Sequence, residues 1–155
     1  MEKYIFPDLA TFFASLFFGM SLAAPKRVLL ASSVLGFFGF LVYEMIFEST
    51  GSEYSAAFFG TLAACIPAEV FARTLKTPAT VIIFISIIPL VPGLMLYQAM
   101  LNFAKNQLID GSNLLIRTLI YSCCMAIAVT ISTMAGKHLL NPLLKKINEK
   151  NRVKR

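Results

Sequence analysis

Residues 87–100 read IIPLVPGLMLYQAM. The stretch lies inside an apolar run, yet Pro89, Pro92 and Gly93 are poor residues for a helix interior. Proline lacks a backbone donor and clashes with the carbonyl four residues back. Hydrocarbon offers no water to replace the lost bond. By this accounting Pro89 frees the carbonyl of Ile85 and Pro92 that of Ile88. Proline suits the first position of a helix, and glycine permits turns that other residues resist. A second half-helix therefore starts near Pro92–Gly93, with its first free amides at Gly93, Leu94 and Met95. One turn on, Tyr97 lies on the side of Gly93, and Gln98 and Asn102 form a polar i, i+4 pair. Ser86 supplies a hydroxyl on the other side of the break. The plain alternative is a proline kink, its carbonyls satisfied by Ser86 or a neighbouring helix.

The surrounding chain says which solvent the run faces. Of 155 residues, 57% are hydrophobic and 14% charged, and the mean hydropathy is +0.74. A soluble domain averages about 25% charged residues, so the composition predicts an all-α, polytopic membrane protein. Cys65, Cys123 and Cys124 all fall in apolar runs without a zinc-like partner spacing. One histidine, His138, cannot form a histidine metal cluster. No catalytic triad, phosphate loop or HExxH motif occurs. The expectation is a protein that is not an enzyme, with no cofactor and no metal. The basic residues are not interleaved with aromatics, which argues against nucleic acid as a partner.

Five apolar segments approach the roughly 20 residues that cross a bilayer: 5–24, 28–47, 54–72, 79–104 and 114–135. Pro7 and Asp8 suit the start of the first, and Thr77–Pro78 introduces the fourth. The interruption by Pro7 and Asp8, and the lack of net positive charge before them, favour a span here over a cleaved leader. With the N-terminus outside, eleven of the fourteen Lys and Arg residues fall inside; only Lys3, Lys105 and Arg117 remain outside. A re-entrant hairpin over 79–104 would put the basic C-terminus outside, so the segment is read as one crossing made of two half-helices. Residues 1–140 form the five-helix membrane domain, and 141–155 a basic cytoplasmic tail. That tail is read either as an ordinary positive-inside tail or as a segment lying on the inner leaflet.

Small residues recur four apart at Thr11, Ser15 and Gly19, at Ser32 and Gly36, and at Ala128, Ser132 and Gly136. Such stripes let helix backbones approach closely, within the bundle or against another subunit. Charges within spans default to functional hypotheses. Glu69, with Arg73 four residues on, is read as an interfacial ion pair or as a proton-coupling or pathway group. Glu44, with Glu48 four residues on, is read as an interfacial glutamate or as a proton-coupling or pathway group. Arg117 snorkels to the outer surface or attracts anions. A half-helix N-terminus attracts carboxylates, and freed carbonyls suit cations or donors. The candidate substrate-binding residues are therefore Pro89, Pro92, Gly93, Leu94, Tyr97 and Gln98, and the candidate proton-coupling residues Glu69 and Glu44.

IIPLVPGLMLYQAM resembles the PLVPG-xxx-Y signature of the threonine/serine exporter (ThrE-type) family, in its short YjjB-like subunit form. AAPKRVLLASSVLGFFGFLVYE resembles that family's Pro-basic turn and Gly-rich second span, and AEVFARTLKTPATVIIFISIIPLVPG its AR-x-x-K-x-P lead into the signature helix. Pro89, Pro92, Gly93 and Tyr97 match the signature; Arg73, Lys76 and Pro78 match the lead. The resemblance implies a multi-pass subunit of the bacterial inner membrane, N-terminus outside and C-terminus cytoplasmic. It implies a larger ThrE-type subunit as partner. It further implies proton-coupled export of threonine and serine, or of a small dicarboxylate such as succinate. The competing expectation is a structural or assembly subunit with no solute path of its own.

Overall fold

The helix breakers read from the sequence set the architecture. The computed structural model describes residues 2–136, with side chains from residue 9 onward. The basic tail, His138 and the side chains of Pro7 and Asp8 lie outside the described residues. Among the described residues six helices follow one another: α1 (Glu2–Ser21), α2 (Lys26–Thr50), α3 (Glu53–Thr74), α4 (Ala79–Ile87), α5 (Gly93–Ala104) and α6 (Leu108–Ala135). A 3-10 turn, Ile88–Leu90, separates α4 from α5. α1 begins before Pro7, which falls in its second turn rather than at its start.

The helix ends have local causes. Ala23, Lys76 and Asn106 take positive φ angles of 52°, 53° and 59°. Each follows a helix closed by a six-to-one bond: Ala24 N–H to Gly19, Thr77 N–H to Ala72, and Gln107 N–H to Asn102. This left-handed cap satisfies carbonyls that a helix end would otherwise strand. Two residues after Ala23 and Lys76 come Pro25 and Pro78, each starting the next helix. Proline cannot continue a helix but is preorganised to open one.

α6 begins at Leu108, six residues before the expected Leu114. LIDGSN reads as a loop because of its polar residues, yet it forms the first turns of α6. Asp110 sits in the first turn, where a carboxylate favours the helix dipole. Gly111 lies against the Phe103 ring of α5, so close that a Cβ would meet Cδ1 at 2.8 Å.

α3 is the axis of the bundle, packing against α2, α4 and α6; α1 packs on α2, and α5 on α6. α2 and α3 cross where Gly39 faces Gly60. A Cβ at Gly60 would meet the Gly39 carbonyl at 2.9 Å, and one at Gly39 would meet Ala64 Cβ at 2.8 Å. Without a hydrophobic drive between helices in lipid, such close backbone approach supplies the packing. The predicted small-residue stripes pack within the bundle: Ser15, Ser32 and Ala128 are fully buried, and a Cβ at Gly36 would meet Ser15 Oγ at 2.5 Å. One apolar cluster joins Val28, Leu35, Cys65, Ala68, Ile82 and Ile85. A second joins Ala57, Leu90, Tyr121 and Met125 beside the break. Outward-facing Leu30, Phe38, Phe59, Phe84 and Ile116 are exposed, as lipid contact requires.

Among the described residues, α2, α3 and α6 are long and apolar enough to cross a membrane. The segment 79–104, bent by 57° at its break, is a fourth candidate. The apolar part of α1, Leu9–Ser21, is shorter, so the expected count of five rests on a first span that length alone does not establish. The contacts place the two ends of the bent segment at opposite ends of α3. Pro78, Ala79 and Thr80 share a cavity with Glu69 and Arg73, near Thr74. Asn102 shares a cavity with Arg117, whose guanidinium lies 2.7 Å from Glu53, the first residue of α3. α3 is 22 residues long, about 33 Å at 1.5 Å per residue. The segment runs the length of the bundle, as a broken crossing rather than a hairpin would.

Candidate functional site

The break re-forms most of its backbone bonds locally. Val91 N–H donates to the Ile88 carbonyl at 3.2 Å, so the acceptor that Pro92 would have stranded is held by the 3-10 turn. Gly93 N–H donates to Val91 at 2.7 Å and is not free. α5 then starts at Gly93, with Pro92 carbonyl accepting from Leu96. Gly93 itself lies outside the left-handed region, and a Cβ there would meet nothing within 4 Å. Its expected conformational role is absent; the position has open space instead.

One carbonyl of the break is satisfied from another helix. Tyr121 of α6 donates its hydroxyl to the Leu90 carbonyl at 3.1 Å. The Tyr43 hydroxyl of α2 lies beside that of Tyr121. Ser86 does not serve the break, because its hydroxyl donates to Ile83 of its own helix at 3.0 Å. Tyr43, Tyr121, Phe40, Leu90 and Met95 line a cavity of about 190 Å³, together with Pro89, Pro92 and Glu53.

A larger cavity of about 590 Å³ opens at the start of the same broken segment. Glu69, Arg73, Lys76, Thr77, Thr80 and Thr133 line it. Glu69 is only 6% exposed although it carries a carboxylate. Arg73 lies 3.8 Å from Glu69 Oε2 and also donates to the Gly136 carbonyl at the end of α6. A guanidinium there complements the negative end of the helix. Arg73 thus bridges α3 and α6 beneath the cavity.

The sequence-predicted residues divide into groups. Pro89 and Pro92 border the smaller cavity, and Glu69 the larger. Leu94 and Tyr97 are 70% and 63% exposed, and Gln98 and Gly93 are exposed with them on α5. Glu44 is half-buried on α2 and acts electrostatically on Tyr43. Arg117 is half-exposed and pairs with Glu53. Tyr43, Glu53 and Tyr121 were not singled out from the sequence. They lie on three different helices, and no spacing along the chain signals their convergence.

A chain of long apolar helices, with one candidate span broken and a cavity at each side of the break, defines a helical membrane protein. A sequence model of the family described as Threonine/Serine exporter, ThrE, matches residues 8–135. The chain belongs to that family. No curated protein and no solved structure matches it.

Proposed function

We propose that the chain is one subunit of a proton-coupled exporter, not an enzyme, in the bacterial inner membrane with its N-terminus outside. Its solutes are threonine and serine, or a small dicarboxylate such as succinate. A larger ThrE-type subunit completes the path. The broken segment carries this reading: it borders both cavities, and among the described residues α5 packs only on α6. Leu94, Tyr97 and Gln98 therefore stand on a face that a partner covers, and the start of α5 faces the solute carboxylate. Glu69 sits in the larger cavity, where it exchanges protons or meets the solute's amino group, and Glu44 is a second such group. The polar cavity lies toward the inner side and the tyrosine cavity toward the outer. Between them along the segment Ile82 and Ile85 are fully buried, which suits a closed state.

Gly93→Leu tests the site without crowding the fold, since the position has room. Efflux is measured from loaded cells that co-express the larger subunit. Lost export at normal protein level supports the reading; unchanged export removes the break from the solute path. If deletion of the gene alters only the partner's abundance, leaving intracellular threonine, serine and succinate unchanged, the chain is an assembly subunit instead.

A further inference from the structure

The smaller cavity has an unusual balance of donors and acceptors. Glu53 Oε1 accepts from the Arg117 guanidinium at 2.7 Å. Its other oxygen, Oε2, is buried and has no hydrogen-bond partner among the described residues. A buried carboxylate oxygen without a donor is costly, and native structures rarely leave one unexplained. Tyr121 commits its single hydroxyl proton to the Leu90 carbonyl, so toward anything else it can only accept. The Glu53 charge is close enough to act on both Tyr43 and Tyr121, and Glu44 adds a second negative field at Tyr43. The rest of the wall is aromatic or apolar: Phe40 stacks on Tyr43 with centroids 5.8 Å apart, and Leu90 and Met95 close the side toward the break. Carboxylate oxygen, hydroxyl oxygen and aromatic rings together favour a compact cation with several protons to donate.

We propose that the cavity between Glu53, Tyr43 and Tyr121, beside the break in the fourth span, binds a protonated primary amine with Glu53 Oε2 as its counter-ion. The volume of about 190 Å³ holds about six waters at ~30 Å³ each. That suits an ammonium head on a short carbon skeleton. Arg117 meets only the other oxygen, Oε1, from outside the cavity and takes no part in the amine site. The amine site's role in transport rests on the exporter reading above, and there the site selects amino acids over dicarboxylates, which carry no ammonium group.

The test uses the full chain in lipid nanodiscs and measures binding of L-threonine, N-acetyl-L-threonine and succinate. The wild type binds threonine about tenfold or more tightly than either compound lacking the amine. Glu53→Gln loses that preference. Arg117→Gln breaks the same salt bridge but keeps the carboxylate, and stays within about threefold of wild type, as loss of an exposed ion pair should. Equal binding of threonine and its N-acetyl form, an unaffected Glu53→Gln, or an Arg117→Gln loss as large as that of Glu53→Gln each overturns the proposal. Efflux from cells co-expressing the larger subunit separates the two readings. Export without amine preference overturns the amine site alone; amine binding without any export overturns the exporter reading alone.

Discussion

Tyr121→Phe removes one hydroxyl and leaves the ring in place. The hydroxyl is the donor to Leu90 at 3.1 Å, and Tyr121 and Leu90 are only 5% and 3% exposed. The donor three residues on, Gly93 N–H, already donates to Val91. The variant therefore strands a buried carbonyl. An unsatisfied buried acceptor costs about 1–3 kcal/mol. Side-chain hydrogen bonds between membrane helices average roughly 0.6 kcal/mol, because the unfolded chain in lipid also finds partners. A loss of about 1 kcal/mol lies between those limits. It is read by reversible unfolding with sodium dodecyl sulfate in mixed micelles, followed by circular dichroism. Tyr43→Phe is the control: it removes the neighbouring hydroxyl but keeps the Leu90 bond, so it costs less than half as much. A Tyr121→Phe variant as stable as wild type, or a Tyr43→Phe variant at least as destabilised, would refute the latch.

Two further outcomes follow from packing and access. Gly60→Leu forces a side chain against the Gly39 carbonyl and destabilises by about 1–3 kcal/mol in the same assay, whereas Gly93→Ala, with nothing within 4 Å, is neutral or gains up to about 1 kcal/mol. Thr133→Cys, on the wall of the larger cavity, reacts with a membrane-permeant, water-soluble maleimide, while native Cys65, fully buried, does not.

How far the chain was legible depends on the reach of each signal. The break was legible because proline acts on its own backbone: α5 starts at Gly93, where the half-helix was expected. Glu69 and Arg73 were legible as an i, i+4 pair, and the structure sets them 3.8 Å apart. The start of α6 was not, because LIDGSN has the composition of a loop and nothing local announces that Phe103 packs over Gly111. The rescue of the break was also hidden. Local accounting named Ser86 or a neighbouring helix, but could not single out Tyr121, which donates to Leu90 from 31 residues away. Gly93 illustrates the opposite error: its residue type suggested a turn, and its surroundings show open space. The amine cavity escaped for the first of these reasons. Tyr43, Glu53 and Tyr121 sit on α2, α3 and α6, and only tertiary packing brings them to one wall.

The account depends most on residues 79–104 crossing the membrane once, broken in the middle. Cysteines placed singly at exposed Thr80 and Lys105, with Cys65, Cys123 and Cys124 replaced by Ala, report this directly. Labelling is done with a membrane-impermeant maleimide in intact cells and again after lysis. A single broken crossing gives labelling of Lys105→Cys in intact cells and of Thr80→Cys only after lysis. Labelling of both from the same side would make the segment a re-entrant hairpin and contradict the account.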